Sequence, residues 1–450
     1  ILALYLHRKL NFDEDTSTAI YHTNEFLAYV FPIFGAIIAD SWLGQFRTIF
    51  IMLGVFAVGN TVVLLSSIEK LGLPTMTLFF IGLFISVLGS GSIKANLTAF
   101  GGNQFPEKSK QLTNFFSLQI FSIKIGSLLA RFSAPMMKED VKCFGADDCY
   151  PLAFSTFAVA ITLGFFLFLC GRSGYVRKPS SGNMLVEVIK CVVNGVTEKL
   201  KQRKMNPKSV PKAHWLDYAE DKFGPKLVAE TKNVLNVLVL YLPLPIFWAV
   251  YQLQGSRWTF QATLMNGDLG FYTIKPDQMI VLNPIFGIMA LWISDLIIFP
   301  LLAKVGVTTL LQKMTIGGML TVVASVIAGC LDLYIHHHYI SIFWMIPQYV
   351  VSSFSENFLY NSHLSFAYTE ASASMKGVMT SFVFVVIGFG NVFVIIVSGT
   401  KLFESQAVEF FFFAGVLFVF MIWFGVLARR YQPNSEVLAH DTIDKDENKA

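Results

Sequence analysis

Long apolar runs separated by short polar breaks recur along the whole chain. They lie near 18–39, 48–67, 75–97, 114–136, 151–170, 234–252, 279–303, 309–334, 340–365, 377–400 and 408–428. A bilayer-spanning helix needs about 20 mostly apolar residues. In lipid the backbone must pair its polar groups internally, so each run predicts a helix and not a strand. The Gly and Pro inside the runs (Gly91, Pro243, Pro245, Gly388, Gly390) are tolerated within a bundle. An apolar stretch at 1–6 adds a partial segment, and the chain reads as a fragment that starts partway through a first helix. That predicts six segments on each side of a polar stretch from Gly171 to Lys232.

Composition narrows the class. Of 450 residues, 54% are hydrophobic and only 14% charged, where soluble domains run at about 25% charged. The 44 Phe could not be buried in one soluble core, so a water-soluble globular enzyme is excluded. The expected fold class is an all-α polytopic membrane protein.

Net charge is only +4, so its placement carries the information. The 171–232 stretch holds 13 Lys and Arg, whereas 253–278 holds only Arg257 and Lys275. Cytoplasmic loops carry the basic excess. The basic stretch is therefore expected inside, and alternation puts Arg47, Lys304, Lys376, Arg429 and Arg430 there too. Within it Met184, Leu185, Val188, Ile189, Val192, Val193, Val196 and Leu200 recur at helical spacing. This predicts an amphipathic helix, either on the inner membrane surface or in a soluble linker. Cys143 and Cys149 fall in a loop expected outside, where a local disulfide is plausible. The expected organisation is an amino-terminal half at 1–170, a basic linker at 171–232, a carboxy-terminal half at 233–430 and a cytoplasmic tail at 431–450.

Ionisable side chains inside membrane spans are costly and usually functional or paired. Those singled out are His22, Glu25, Lys94, Lys124, Asp295 and Glu356. His22, Glu25 and Tyr29 share one helix face, and a titratable ladder facing a cavity suits proton coupling, because His changes charge near neutral pH. The run His336-His337-His338 cannot converge on one ion, since consecutive helical residues point about 100° apart; a solvated loop is expected. Asn96-Leu97-Thr98 fits a glycosylation triplet but sits at a span's inner end. No metal, nucleotide or nucleophile motif appears, so no enzyme activity is expected.

A set of ordered motifs then points to one family. Gly35-Ala-Ile-Ile-Ala-Asp40-Ser-Trp-Leu-Gly44-Gln-Phe-Arg47 resembles the loop between helices two and three of major facilitator carriers. Ala19-Ile-Tyr-His22-Thr, Ala99-Phe-Gly-Gly-Asn103-Gln-Phe105, Tyr150-Pro-Leu-Ala-Phe154 and His214-Trp-Leu-Asp217 follow in order. So do Pro243-Leu-Pro-Ile-Phe-Trp248-Ala, Gly255-Ser-Arg-Trp-Thr-Phe-Gln-Ala262 and Pro276-Asp-Gln-Met279. Together they resemble the proton-coupled oligopeptide transporters, most of all the animal intestinal and renal type. The resemblance implies two six-helix halves and proton-driven symport of di- and tripeptides by alternating access. It implies that Glu356 holds the peptide amino terminus, Lys94 serves the carboxylate end or its coupling partner, Asn283 reads the backbone, Trp248 and Tyr29 line the pocket, and His22 with Tyr29 forms the second-helix pair tied to proton binding. His22, Glu25 and Glu356 become the proton-coupling candidates; Asp40, Arg47, Asp295 and Lys124 the gating or structural ones. The expected partners are peptides, protons and the bilayer, in a monomer at the plasma membrane, with no cofactor, metal or nucleic acid.

Departures from the family pattern matter as well. The first-helix Glu-x-x-Glu-Arg-Phe motif is absent from this chain. Ile120 and Lys124 stand at the fifth-helix Tyr and Asn, Asn236 at the seventh-helix Arg that pairs Asp295, Val383 at the eleventh-helix Trp, and Asn103 at a usual Asp. Glu25 and Lys124 are extra charges of opposite sign, expected to form a substitute network directly or through His22 or Lys94. The departures leave open a non-transporting peptide receptor, or a carrier of amino acids or nitrate.

Overall fold

The computed structural model describes residues 1–105, 110–177, 184–205, 212–371 and 375–431. Lys178, Lys208, the tail beyond Tyr431 and the side chains of Ile120 and Lys376 lie outside the described residues. The amino-terminal helices are α1 (Leu2–Arg8), α2 (Glu14–Ile38), α3 (Gln45–Ser66), α4 (Thr75–Gly102), α5 (Lys110–Glu139) and α6 (Tyr150–Cys170). The linker helix is α7 (Met184–Met205). Then follow α8 (Glu220–Tyr241), α9 (Leu244–Gln252), α10 (Arg257–Thr263), α11 (Leu282–Ile293), α12 (Phe299–Lys304), α13 (Leu310–Ile335), α14 (Ile346–Glu356), α15 (Ser362–Thr369), α16 (Lys376–Gly399) and α17 (Gln406–Arg430). Every apolar run of the sequence is helical, and no β-strand forms among the described residues.

Among the described residues, eight helices are long and apolar enough to cross a membrane, or nine if the pair Trp215–Tyr241 and Leu244–Thr263, bent by 50° near Pro243 and Pro245, is one span. α5 falls outside that set although it is 30 residues long. It carries Lys124 and Arg131, polar cargo that a purely lipid-facing helix would not hold. The segment from Ile346 to Thr369 is similarly polar around Ser352, Ser353, Ser355 and Glu356.

Small residues let the helices approach closely. A side chain at Gly59 would place its Cβ 2.3 Å from the backbone nitrogen of Ser86, so only Gly allows the α3–α4 contact. Gly390 plays the same part between α16 and α9, where a Cβ would sit 2.6 Å from the Pro245 carbonyl. Among the described residues three π-helical turns interrupt the spans, at Ala39–Leu43, Ser294–Ile298 and Asn357–Asn361. The first two contain Asp40 and Asp295, and the third directly follows Glu356. Such turns often mark functional positions because they re-aim side chains.

The linker helix α7 has two apolar faces. Leu185, Val188, Cys191 and Gly195 are buried, with Cys191 packed beside Leu216, Ala219 and Val228. Ile189, Val193, Val196 and Leu200 form a second stripe that stays exposed. At the opposite end of the bundle, Cys143 and Cys149 are joined by a disulfide with Cα atoms 5.2 Å apart. The two ends are called the linker face and the disulfide face below.

Candidate functional site

A cavity of about 340 Å³ lies between the two halves. α2 lends it Tyr21, Glu25 and Tyr29, and α5 lends Lys124, Ser127 and Arg131. From the other half come Trp248, Tyr251 and Gln254 on and just after α9, Asn283 on α11, and Glu356 and Tyr360 around the α14 break. Both charge signs therefore face the same space, carried by helices that have no other reason to be polar.

The carboxy-terminal wall is a directed hydrogen-bond chain. The Gln254 amide donates to Ser352 Oγ at 2.6 Å, which turns its carbonyl oxygen toward Asn283. The Asn283 amide then donates to Gln254 Oε1 at 2.9 Å and to the Tyr251 hydroxyl at 2.8 Å. Tyr251 in turn lies within electrostatic reach of the Glu356 carboxylate. An amide has two N–H donors, and both of Asn283's are used, so only its carbonyl oxygen is left for a ligand. Trp248 stands edge-on to Tyr251 and Tyr360, at ring distances of 5.6 and 5.5 Å, and closes an aromatic wall.

On the amino-terminal wall, Lys94 sits 4.9 Å from the centre of the Tyr29 ring and donates to the Ala28 carbonyl at 3.5 Å. A cation over an aromatic face is electrostatically favourable. Glu25 lies within electrostatic reach of both Lys94 and Arg131.

The disulfide face is sealed by contacts between the halves. His22 is fully buried, with Nδ1 2.7 Å from Asn391 Oδ1 and Nε2 2.9 Å from Ser256 Oγ. Lys138 reaches Asp277 at 3.1 Å, both side chains almost wholly buried. Arg257 joins Asp15 at 2.5 Å and Glu409 at 2.7 Å. Lys275 pairs with Asp140, and Lys401 with Asp13 at 2.8 Å. Arg131 donates to the Ile280 carbonyl at 3.4 Å just beneath this seal. Each of these ion pairs bridges sequence positions more than a hundred residues apart. By contrast, the side chains of Lys94 and Ile123 are exposed on the linker-face side of the site.

Several sequence expectations need correcting. His22 does not face the cavity with Glu25 and Tyr29; Ser256 and Asn391 enclose it in the seal, and Tyr21 takes the place on the wall. Lys124, expected as a gating or structural residue, lines the cavity, and no ion pair joins it to Glu25 among the described residues. Glu25 answers instead to Lys94 and Arg131. Asp295 is exposed on its π turn, outside the cavity. Arg47 is exposed at the start of α3, after the turn that holds Asp40. Of the peptide-site candidates, Glu356, Asn283, Trp248 and Tyr29 line the cavity, while Lys94 lies behind Tyr29.

Arg131 was not singled out from sequence, although it stands inside the apolar run 114–136 and counting Arg there would have found it. Asp332, His363 and Glu409, all buried, were passed over in the same way.

Comparison with known proteins places this arrangement. The sequence model of the POT family (PTR2) matches residues 46–407. The chain belongs to the POT family. It is 41% identical over 335 residues to a Drosophila melanogaster protein named peptide transporter family 1, covering 74% of this chain and 44% of that one. It is also 41% identical over 341 residues to rabbit solute carrier family 15 member 2, covering 75% and 46%. The chain thus spans about half the length of the relatives it matches. The crystal structure of the POT family transporter PepTSo aligns with a TM-score of 0.78 at 25% identity, covering 93% of this chain and 90% of that one. A proton dependent oligopeptide (POT) family transporter aligns with a TM-score of 0.73 over 94% of this chain and 95% of that one. The fold is that of POT transporters, a multi-pass helical membrane protein.

Proposed function

We propose that this POT-family chain works as a proton-coupled symporter of di- and tripeptides by alternating access. The observation that carries the reading is the bipolar cavity between the halves, with Glu356 on one wall and Lys124 and Arg131 on the other. A zwitterionic peptide offers an ammonium to the carboxylate, a carboxylate to the cations, and a peptide N–H to the free carbonyl of Asn283. The volume of about 340 Å³ lies at the small end of ligand sites. Fixed groups for the termini, with an aromatic wall for the side chains, accept many sequences because recognition rests on what all short peptides share.

The seal on the disulfide face suits one arm of an alternating cycle. His22 bridges the halves in its neutral form. Because Asn391 Oδ1 can only accept, Nδ1 carries the proton and Nε2 accepts from the Ser256 hydroxyl. A second proton on Nε2 reverses that bond, so that Nε2–H donates to Ser256 Oγ, and puts a positive charge near Arg257, whose repulsion loosens the bridge. Proton arrival from the disulfide side would then favour opening there. The linker and carboxy terminus lie in the cytoplasm, α7 rests its exposed stripe on the inner membrane surface, and the protein acts as a monomer in the plasma membrane.

Counterflow of a labelled dipeptide into liposomes preloaded with unlabelled dipeptide tests this reading in the full-length protein. Exchange is the expected result. Saturable binding without exchange would replace the carrier by a receptor.

A further inference from the structure

We propose that the cavity prefers acidic dipeptides, and that Arg131 sets this preference; the inference rests on the peptide-carrier reading above. α5 shows the cavity Lys124, Ser127 and Arg131. Their i, i+3, i+7 spacing keeps them on one face, with the two cationic residues about 10 Å apart along the helix axis. Both carry long side chains that can reach different oxygens of one ligand.

Neither cation is neutralised by an ion pair among the described residues. Arg131 spends one N–H on the Ile280 carbonyl, which leaves at least four of its five donors for something else. Glu25 is the carboxylate that acts on it, and that carboxylate is shared with Lys94. Glu356 lies within electrostatic reach of Tyr251 and is set aside for the ammonium. Lys94, Lys124 and Arg131 against Glu25 and Glu356 leave a surplus of one positive charge around the site.

A neutral zwitterion does not relieve that surplus. A peptide with a second carboxylate does, placing its main-chain carboxylate on one α5 cation and its side-chain carboxylate on the other. The planar guanidinium of Arg131 suits a two-pronged carboxylate contact. A peptide with an extra ammonium adds to the surplus, and like charges placed together in a desolvated site are strongly disfavoured. Arg131 is therefore the specificity-determining residue, lying at the closed end of the cavity just under the seal.

The test is competition against labelled Ala-Ala counterflow by unlabelled Ala-Glu and Ala-Lys, at neutral pH, with the full-length protein in liposomes. Ala-Glu should compete at least about ten-fold better than Ala-Lys. In Arg131→Gln that ratio should fall toward one, and in Arg131→Lys it should be largely kept. Equal competition in the parent, or an undiminished ratio in Arg131→Gln, overturns the proposal. If Arg131→Gln does not fold, the same competition is read in Arg131→Met, where an undiminished ratio overturns the proposal equally. Absence of any Ala-Ala exchange in the parent would overturn the carrier reading itself, a result distinguishable from loss of selectivity.

Discussion

Nδ1 of His22 lies 2.7 Å from Asn391 Oδ1, so a single imidazole on α2 bridges to α16 across the boundary between the halves. Its other nitrogen meets Ser256, completing a clamp whose polarity depends on one proton. His22→Gln can imitate at most one protonation state. Uptake driven by a proton gradient should fall about ten-fold or more, while counterflow, which needs no gradient, should fall less. Equal loss in both assays would make His22 merely structural.

Lys138 and Asp277 are the most deeply buried ion pair of the seal, exposed by 1% and 3%. Removing Asp277 leaves Lys138 only the more exposed Glu139 carboxylate at 3.0 Å, so the cost is a part of the about 3–5 kcal/mol of a wholly uncompensated buried charge. Asp277→Asn should therefore shift the protein toward a state open on the disulfide face. The double change Lys138→Met with Asp277→Leu should recover much of the closed population. Spin-label distances between the ends of α2 and α16 on that face report the shift. A double variant as open as the sum of the singles would show the two sites to be independent.

The helices were legible in the sequence because hydropathy is a local signal, and residues 18–39 or 408–428 declare themselves without any neighbour. That Glu356 and Asn283 line the cavity was legible through the family resemblance. The seal was not. Lys138–Asp277 and Arg257–Asp15 join positions 139 and 242 residues apart, and no periodicity encodes such pairs. Arg257 and Lys275 counted in sequence only as sparse loop charges, yet both close the face. The expected Glu25–Lys124 network, direct or through His22 or Lys94, shows no direct ion pair among the described residues; helices two and five belong to one half, but their facing residues depend on rotation about each axis, and Glu25 feels the charges of Lys94 and then Arg131.

Glu356 offers a direct chemical probe. Glu356→Gln keeps the size and shape of the side chain but removes the charge that would meet an ammonium. Peptides with a free amino terminus should lose about ten-fold or more in affinity, and N-acetylated peptides much less. Competition against a labelled dipeptide measures both. Equal losses would move the ammonium site elsewhere.

The outermost pair gives a pH control. Lys401 and the Thr16 backbone N–H hold the Asp13 carboxyl at about 2, below its ordinary value. A depressed carboxyl stabilises the folded state above its unfolded value and loses that effect only as pH falls through about 2. Asp13 and Lys401 therefore stay charged throughout the range in which His titrates. Asp13→Asn should alter the amplitude of transport without moving the midpoint of its pH profile. A displaced midpoint would assign the pH response to the surface and not to His22.

The central claim is that this chain's family cavity couples a peptide to protons. The most direct measurement is accumulation of a labelled dipeptide by liposomes holding the full-length protein, with the outside acidified. The account predicts uphill accumulation that collapses when a protonophore dissipates the gradient. Uptake that merely equilibrates, and is indifferent to the protonophore, would contradict it.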